Sequence, residues 1–286
     1  MTTADDSPVP DYPQLLRLDD RGFVVVGAGQ GNGRQTVHAL ASVGARVLCV
    51  DIDRGLAEEV AAEVDGFACA ADATNTADVE RLLAQAQQQL GRVHGICDIV
   101  GMARWAALVD MPEEDWDWNF DMVLRHAFLL TKHGARLMAA DGGGCISFVA
   151  SVSGVSSSPF HGGYGAAKAG LLSLVRTAAV ELATANVRVN AVVPGGIATP
   201  RLAKAHGIDL DQATDGALRS PARTSDIAAA LLFLSSDLAR HVTGHALTVD
   251  GGDLVQSPYP ITAPLVQPGE ALGVSRDGET ASVVRA

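Results

Sequence analysis

Three residues near the middle of the chain have the types and spacing for proton chemistry. They lie in the stretch Ser151 to Lys168, SVSGVSSSPFHGGYGAAK. A helix beginning near Gly162 would put Tyr164 and Lys168 four residues apart on one face, with Ser151 entering from the end of the apolar run Ile146 to Ala150. A free phenol loses its proton near pH ~10, but a lysine cation beside it favours the phenolate. Tyr164 could then exchange a proton with a substrate oxygen that the Ser151 hydroxyl holds by a hydrogen bond. A tyrosine and a lysine also meet at this spacing on ordinary helices, so the elements around them decide the matter.

Those elements alternate. Phe23 to Val26 reads as a strand, followed at once by GAGQGNGRQTVHALASVG, a glycine-rich turn running into an amphipathic helix. Arg46 to Val50 is a second buried strand that ends at Asp51. Glycines at 27, 31 and 33 let the backbone turn tightly and approach a pyrophosphate, which the free N–H groups of the following helix would receive. Asp51 lies 18 residues after Gly33, where a carboxylate accepts hydrogen bonds from an adenosine ribose and repels a 2′-phosphate. This favours NAD over NADP. Arg34, a cation beside the turn, argues the other way.

Further on, strands are expected at Phe67 to Ala70, Gly95 to Val100, Cys145 to Ala150, Val187 to Val193 and Ala246 to Val249. Helices are expected at Thr76 to Leu90, Glu113 to Ala140, Gly162 to Thr184 and Ser225 to Ser236. About seven strands separated by helices predict an α/β fold, a single Rossmann-like doubly wound parallel sheet with helices on both faces. Ligands in such sheets bind beyond the carboxyl ends of the strands, where Gly27, Asp51, Asp72, Gly101, Ser151 and Pro194 all fall.

Composition narrows the function classes. With 286 residues, 48% hydrophobic and 19% charged, the chain can bury one large core. A formal net charge of -12 argues against nucleic acid and anionic membranes as partners. No stretch approaches a membrane span and the start lacks a signal-peptide layout, so a cytoplasmic protein is expected. Cys49, Cys69, Cys97 and Cys145 each sit in an apolar run without a CxxC, which points to buried thiols and no metal site. Residues 1–20, with three prolines, read as a mobile arm, 21–252 as the dinucleotide-binding and catalytic domain, and 253–286 as an extension without helix or strand period.

From about Arg21 to Gly252 the chain resembles the classical short-chain dehydrogenase/reductase family. The resemblance is carried by VGAGQGNG, by Tyr164 and Lys168 as the Tyr-x-x-x-Lys pair, and by Ser151 13 residues before the tyrosine. Pro194, Gly195 and Thr199 after the sixth strand, and Val249 to Gly252, add to it. It implies that Tyr164 transfers the proton, Lys168 tunes it and holds the nicotinamide ribose, and Ser151 orients the carbonyl or alcohol. The cofactor contacts it implies are Gly27, Gly29, Gln30, Gly31, Asn32 and Gly33, then Asp51, Ile52, Asp72 and Ala73. After the fourth strand come Ile99, Val100 and Gly101, joined by Tyr164, Lys168, Pro194, Gly195, Ile197 and Thr199. A homotetramer is implied, with a dimer next.

Two departures stand out. The family's Asn-Asn-Ala-Gly is Asp98-Ile99-Val100-Gly101 here, and the position of its proton-relay Asn is Val123, with Asn119 one turn earlier. Asp98 would serve either as an acceptor for backbone N–H groups or as a charge near the cofactor. Met102, Trp105, Val152, Ser153, Phe160 and Leu202 are the candidate substrate contacts. They describe an apolar pocket for a hydrophobic, cyclic secondary alcohol or ketone. His161 is a further candidate. The runner-up is a dinucleotide-binding regulatory or scaffold protein that has lost turnover, and a third reading is a cofactor-retaining epimerase.

Overall fold

The computed structural model describes residues 8–197, 199, 217–218 and 222–255. Seven strands form one parallel sheet in the order β3-β2-β1-β4-β5-β6-β7. They are β1 (Gly22–Val26), β2 (Arg46–Asp51), β3 (Phe67–Ala70), β4 (Val93–Asp98), β5 (Gly144–Val149), β6 (Val187–Pro194) and β7 (Ala246–Val249). Their valines, isoleucines and cysteines are buried from both sides, as continuous apolar runs in a covered parallel sheet must be. Val24, Val26, Ile96, Ile146 and Phe148 look to one face, and Phe23, Val25, Cys97 and Cys145 to the other.

The first face is covered by α4 (Thr76–Leu90), α6 (His126–Ala140) and α7 (Gly162–Leu182). On the second lie α2 (Gly31–Ser42), α3 (Arg54–Glu63) and α8 (Thr224–Ser235). Local chemistry starts these helices: Asp53 caps α3 through Gly55 and Leu56 N–H, and Asn75 caps α4 through Ala77 and Asp78 N–H. The strand order reverses between β1 and β4. Strands there leave their carboxyl ends in opposite directions and open the cleft in which such folds take a ligand.

Three local features differ from expectation. The helix expected from Glu113 to Ala140 is α5 (Glu113–Phe120) and α6 joined by a π-helical turn, Asp121–Arg125, with Val123 fully buried inside it. A one-turn π segment widens the helix without breaking it, which no periodicity in the sequence reveals. β4 ends at Asp98, so Ile99 to Gly101 leave the sheet as loop. Residues 8–20, expected within a mobile arm, hold the short helix α1 (Tyr12–Leu16), capped by Asp11, and Leu18 is fully buried among Phe23, Val25 and Leu40. All four cysteines are buried free thiols, and burial pushes Cys49 and Cys97 up to about 12. The extension expected from 253 lies outside the described residues beyond Val255.

Candidate active site

The cleft begins at the glycine turn. Gly27 and Gly31 have φ of +81° and +57°, and α2 starts at Gly31 with no side-chain cap from Gln30, which leaves the positive helix end open to an anion. A Cβ on Gly33 would lie 1.9 Å from the Gly27 carbonyl oxygen, and one on Gly29 2.6 Å from Leu56 Cβ. Glycine at 33 lets the turn close on α2, and glycine at 29 lets it pass Leu56 of α3 and Asp51. Asp51 Oδ2 accepts a hydrogen bond from Gly29 N–H at 2.9 Å and Oδ1 one from Asp53 N–H at 3.1 Å, which aims the carboxylate at the cleft mouth.

Around this turn lies a cavity of about 520 Å³. Gly27, Gln30, Gly31, Asn32, Asp51, Ile52, Asp72, Ala73, Ile99, Val100, Gly101 and Thr199 line it. Asp72 is fixed by its own turn, accepting from Thr74 N–H and Oγ1. Pro194 ends β6, and Gly195 N–H bonds the carbonyl of Val249, while Ile197 pairs with Ala222 beside them. These residues fit a dinucleotide: a helix start for the pyrophosphate, a carboxylate at the end of β2 for a ribose, and a long cleft between. Met102, a candidate substrate residue, lines this same cavity, as do Thr74, Leu56 and Met122, which carry no spacing signal in the sequence.

The three residues expected to handle the proton stand at the end of β5 and on the first turns of α7. Ser151 follows β5 and caps a 3-10 turn, Val152–Gly154, accepting from Ser153 N–H at 3.1 Å. That turn packs on α7 because Gly154 and Gly165 lack side chains: a Cβ on either would meet backbone atoms of Lys168 or Ser153 at under 3.0 Å. The Ser151 hydroxyl is thereby brought to the Tyr164 side of the turn, where it favours the phenolate. Lys168 is 1% exposed, donates to the Val149 carbonyl at 2.7 Å and sits 5.6 Å from the centre of the Tyr164 ring. Burial raises the Tyr164 phenol above its ordinary value, with Ser151 pulling it back. The expected lowering by Lys168 is not the leading effect, since the ammonium is bound to Val149 rather than to the hydroxyl. Burial pulls Lys168 down to about 8, against an upward push from Asp98.

Behind the lysine the two departures from the family pattern resolve into new contacts. Asp98 Oδ1 accepts from Val100 N–H at 3.1 Å and Oδ2 lies 2.6 Å from His126 Nδ1, both side chains being almost wholly buried. Asn119, also fully buried, accepts from Arg104 N–H at 3.0 Å and donates to the carbonyls of Arg104 and Asp115. It clamps the loop that carries Trp105. Trp105 stacks against His161 at 4.1 Å between ring centres and meets Tyr164 edge-on at 5.4 Å. Ser153 Oγ lies 2.8 Å from His161 Nδ1. Val152 packs on the core, while Phe160 is 60% exposed on the rim of a second cavity that Ser153 and His161 also line. Leu202 lies outside the described residues. Among the described residues no cluster of histidine, cysteine and acidic side chains could hold a metal, and no helix is long and apolar enough to cross a membrane.

Comparison with known proteins agrees with this geometry. A family model described as enoyl-(acyl carrier protein) reductase matches residues 27–253. The 3-oxoacyl-[acyl-carrier-protein] reductase FabG of Thermotoga maritima is 33% identical over 246 residues, covering 83% of this chain and 99% of that protein. The chain belongs to the short-chain dehydrogenase/reductase family. It is an oxidoreductase acting on CH–OH groups, in a family that uses NAD(P). Another relative, the cis-4-hydroxycyclohexanecarboxylate dehydrogenase of Sinomonas cyclohexanicum, is 35% identical over 243 residues, covering 82% of this chain and 96% of that one. Among solved structures, a 7α-hydroxysteroid dehydrogenase complexed with NADH and 7-oxoglycochenodeoxycholic acid superposes with a TM-score of 0.78 at 32% identity, covering 83% and 96% of the two chains. Within a dehydrogenase/reductase, the features that sequence reasoning passed over are the His126 partnership with Asp98 and the Asn119 clamp. The only signals for them were the missing amides at 98 and 123.

Proposed function

We propose that the protein is an NAD(H)-dependent dehydrogenase/reductase that interconverts a hydrophobic, cyclic secondary alcohol and its ketone. The observation that carries this is the cleft over the glycine turn, with Asp51 on its wall and Lys168 Nζ next to Gly101 on the same wall, 3.1 Å from where a Cβ there would be. Gly27 to Gly33, Asp51 and Thr199 would hold the dinucleotide, whose nicotinamide supplies the hydride acceptor or donor. Ser151 donates to the substrate oxygen and fixes its distance from the phenol. Tyr164 takes the alcohol proton in one direction and returns it in the other. Lys168, as a cation, stabilises the phenolate that forms in between.

The preference for NAD is supported by the Asp51 carboxylate and by the neutralisation of Arg34. Its guanidinium is bound to Glu63 at 2.8 Å and turned to an acid on α3. Cyclic substrates are supported by the Trp105 and His161 rings that wall Tyr164, and by the ring alcohols named for two relatives. Self-association to a homotetramer, or failing that a dimer, is supported by exposed Trp116 and Phe128 on α5 and α6. A cytoplasmic site is the matching proposal for a chain of this charge.

The test is growth of NADH absorbance with a panel of cyclic secondary alcohols, NAD against NADP, with Tyr164→Phe as control. A signal that survives Tyr164→Phe, or a preference for NADP, would overturn the corresponding part of the proposal.

A further inference from the structure

His126 poses a question of charge. Its Nδ1 is 2.6 Å from Asp98 Oδ2 and its ring is 1% exposed, yet Nε2 is buried with no hydrogen-bond partner among the described residues. A doubly protonated ring would bury an orphaned, charged N–H donor, which costs far more than an orphaned lone pair. The cheaper arrangement is a neutral ring with its proton on Nδ1, donated to an ionised Asp98. Asp98 then keeps its full negative charge, satisfied on both oxygens by His126 and by Val100 N–H.

That charge has a counterpart. Asp98 pairs with Phe148 in the β4–β5 register, and the carbonyl of the next residue, Val149, holds Lys168 Nζ. The backbone at Gly101, three residues past Asp98, runs so close that a Cβ there would be 3.1 Å from Nζ. The groups facing the lysine are Asp98 from β4 with His126 of α6 behind it, the Val149 carbonyl from β5, and Tyr164 on its own helix. Asn119 on α5 and Ser151 carry no charge, and His161 stands beyond Tyr164. Among the described residues Asp98 is thus the anion on the lysine's side, its carboxylate holding the Val100 N–H one residue before the Gly101 backbone that meets Nζ. No side-chain amide is available at the buried Val123 to reach the lysine through water.

We propose that Asp98 and His126 form a positioning pair for Lys168: His126, neutral and donating through Nδ1, keeps Asp98 ionised, and Asp98 keeps the lysine cationic for Tyr164. The inference rests on the reading of Tyr164 as the proton-transferring group, but it is tested without turnover.

The chain has three lysines, Lys132, Lys168 and Lys204, so ¹³Cε-labelled lysine gives three signals, and Lys168→Met assigns the one of interest. Its titration is followed by NMR in wild type, Asp98→Asn, His126→Leu and His126→Asn. Asp98→Asn and His126→Leu should each lower the Lys168 midpoint by about one pH unit, a tenfold weaker hold on the proton. His126→Asn, whose amide nitrogen overlays Nδ1, should leave it at the wild-type value. An unchanged midpoint in folded Asp98→Asn would overturn the proposal and reduce the pair to a brace for the sheet edge. So would a His126→Asn midpoint that moves as far as that of His126→Leu. Should His126→Leu fail to fold, the imidazole ¹⁵N shifts of the wild type decide: a neutral ring protonated at Nδ1 is expected, and an imidazolium at neutral pH overturns the proposal. Absence of dehydrogenase activity with every alcohol would leave these titrations as they are, so the two readings fail separately.

Discussion

Replacing Lys168 by methionine should make the protein more stable while destroying its chemistry. The side chain is fully buried, and its proton affinity falls from the ordinary 10.5 to about 8, a figure already net of the attraction to Asp98. A fall of that size corresponds to about 3 kcal/mol of differential stability. Below the folded value of about 8 the folded chain must carry a charge that the unfolded chain carries more easily, so the whole penalty is present at neutral pH. It shrinks as pH rises towards 10.5 and vanishes above it, where both states hold a neutral amine. Methionine fills nearly the same volume but leaves the Val149 carbonyl without the donor it has at 2.7 Å, a loss of about 1 kcal/mol. The net gain at neutral pH is therefore about 2 kcal/mol, or roughly 5 °C in Tm for a chain of this size. Urea unfolding of wild type and Lys168→Met, at neutral pH and again above pH 10.5, measures it at fixed protein concentration. A variant that is less stable at neutral pH, or a difference that does not change sign or shrink with rising pH, would refute the account of the buried ammonium.

Three other substitutions check other parts of the site. Asp51→Ser removes the acceptor at the end of β2 and frees Gly29 N–H, and should weaken NAD binding about tenfold while improving the ratio for NADP, read by cofactor fluorescence titration. Asn119→Ala breaks the three hydrogen bonds of the buried Asn119 amide to the Arg104 backbone and Asp115 and should cost about 2 kcal/mol in urea unfolding. Because the clamp holds the Trp105 loop, KM for a cyclic alcohol should rise more than the dissociation constant of NAD. Tyr164→Phe keeps the ring packed against Trp105 but removes the phenol hydroxyl, and kcat should fall by about 10² to 10⁴ with NAD affinity retained.

What could be read without coordinates is what short-range geometry governs. The glycines from 27 to 33, the acid at the end of β2 and the i, i+4 placement of Tyr164 and Lys168 depend on a few adjacent residues and on strand and helix periods, and each lies where the pattern puts it. The parallel sheet follows from the same alternation of apolar runs and helices. Contacts between residues far apart in sequence have no such period. Asp98 meets His126, 28 residues away, where α6 starts after the π turn and packs on β4, and Asn119 meets Arg104 across 15 residues where α5 lies against the loop. Leu18 likewise looks like part of a proline-rich arm until the Val43 carbonyl and the α2 face receive it. The amino-acid order alone marked which groups have the types to move a proton and which turn has the glycines to receive a dinucleotide. Packing decided the charge state in which those groups are held, because burial and opposite charge act through space and not along the chain.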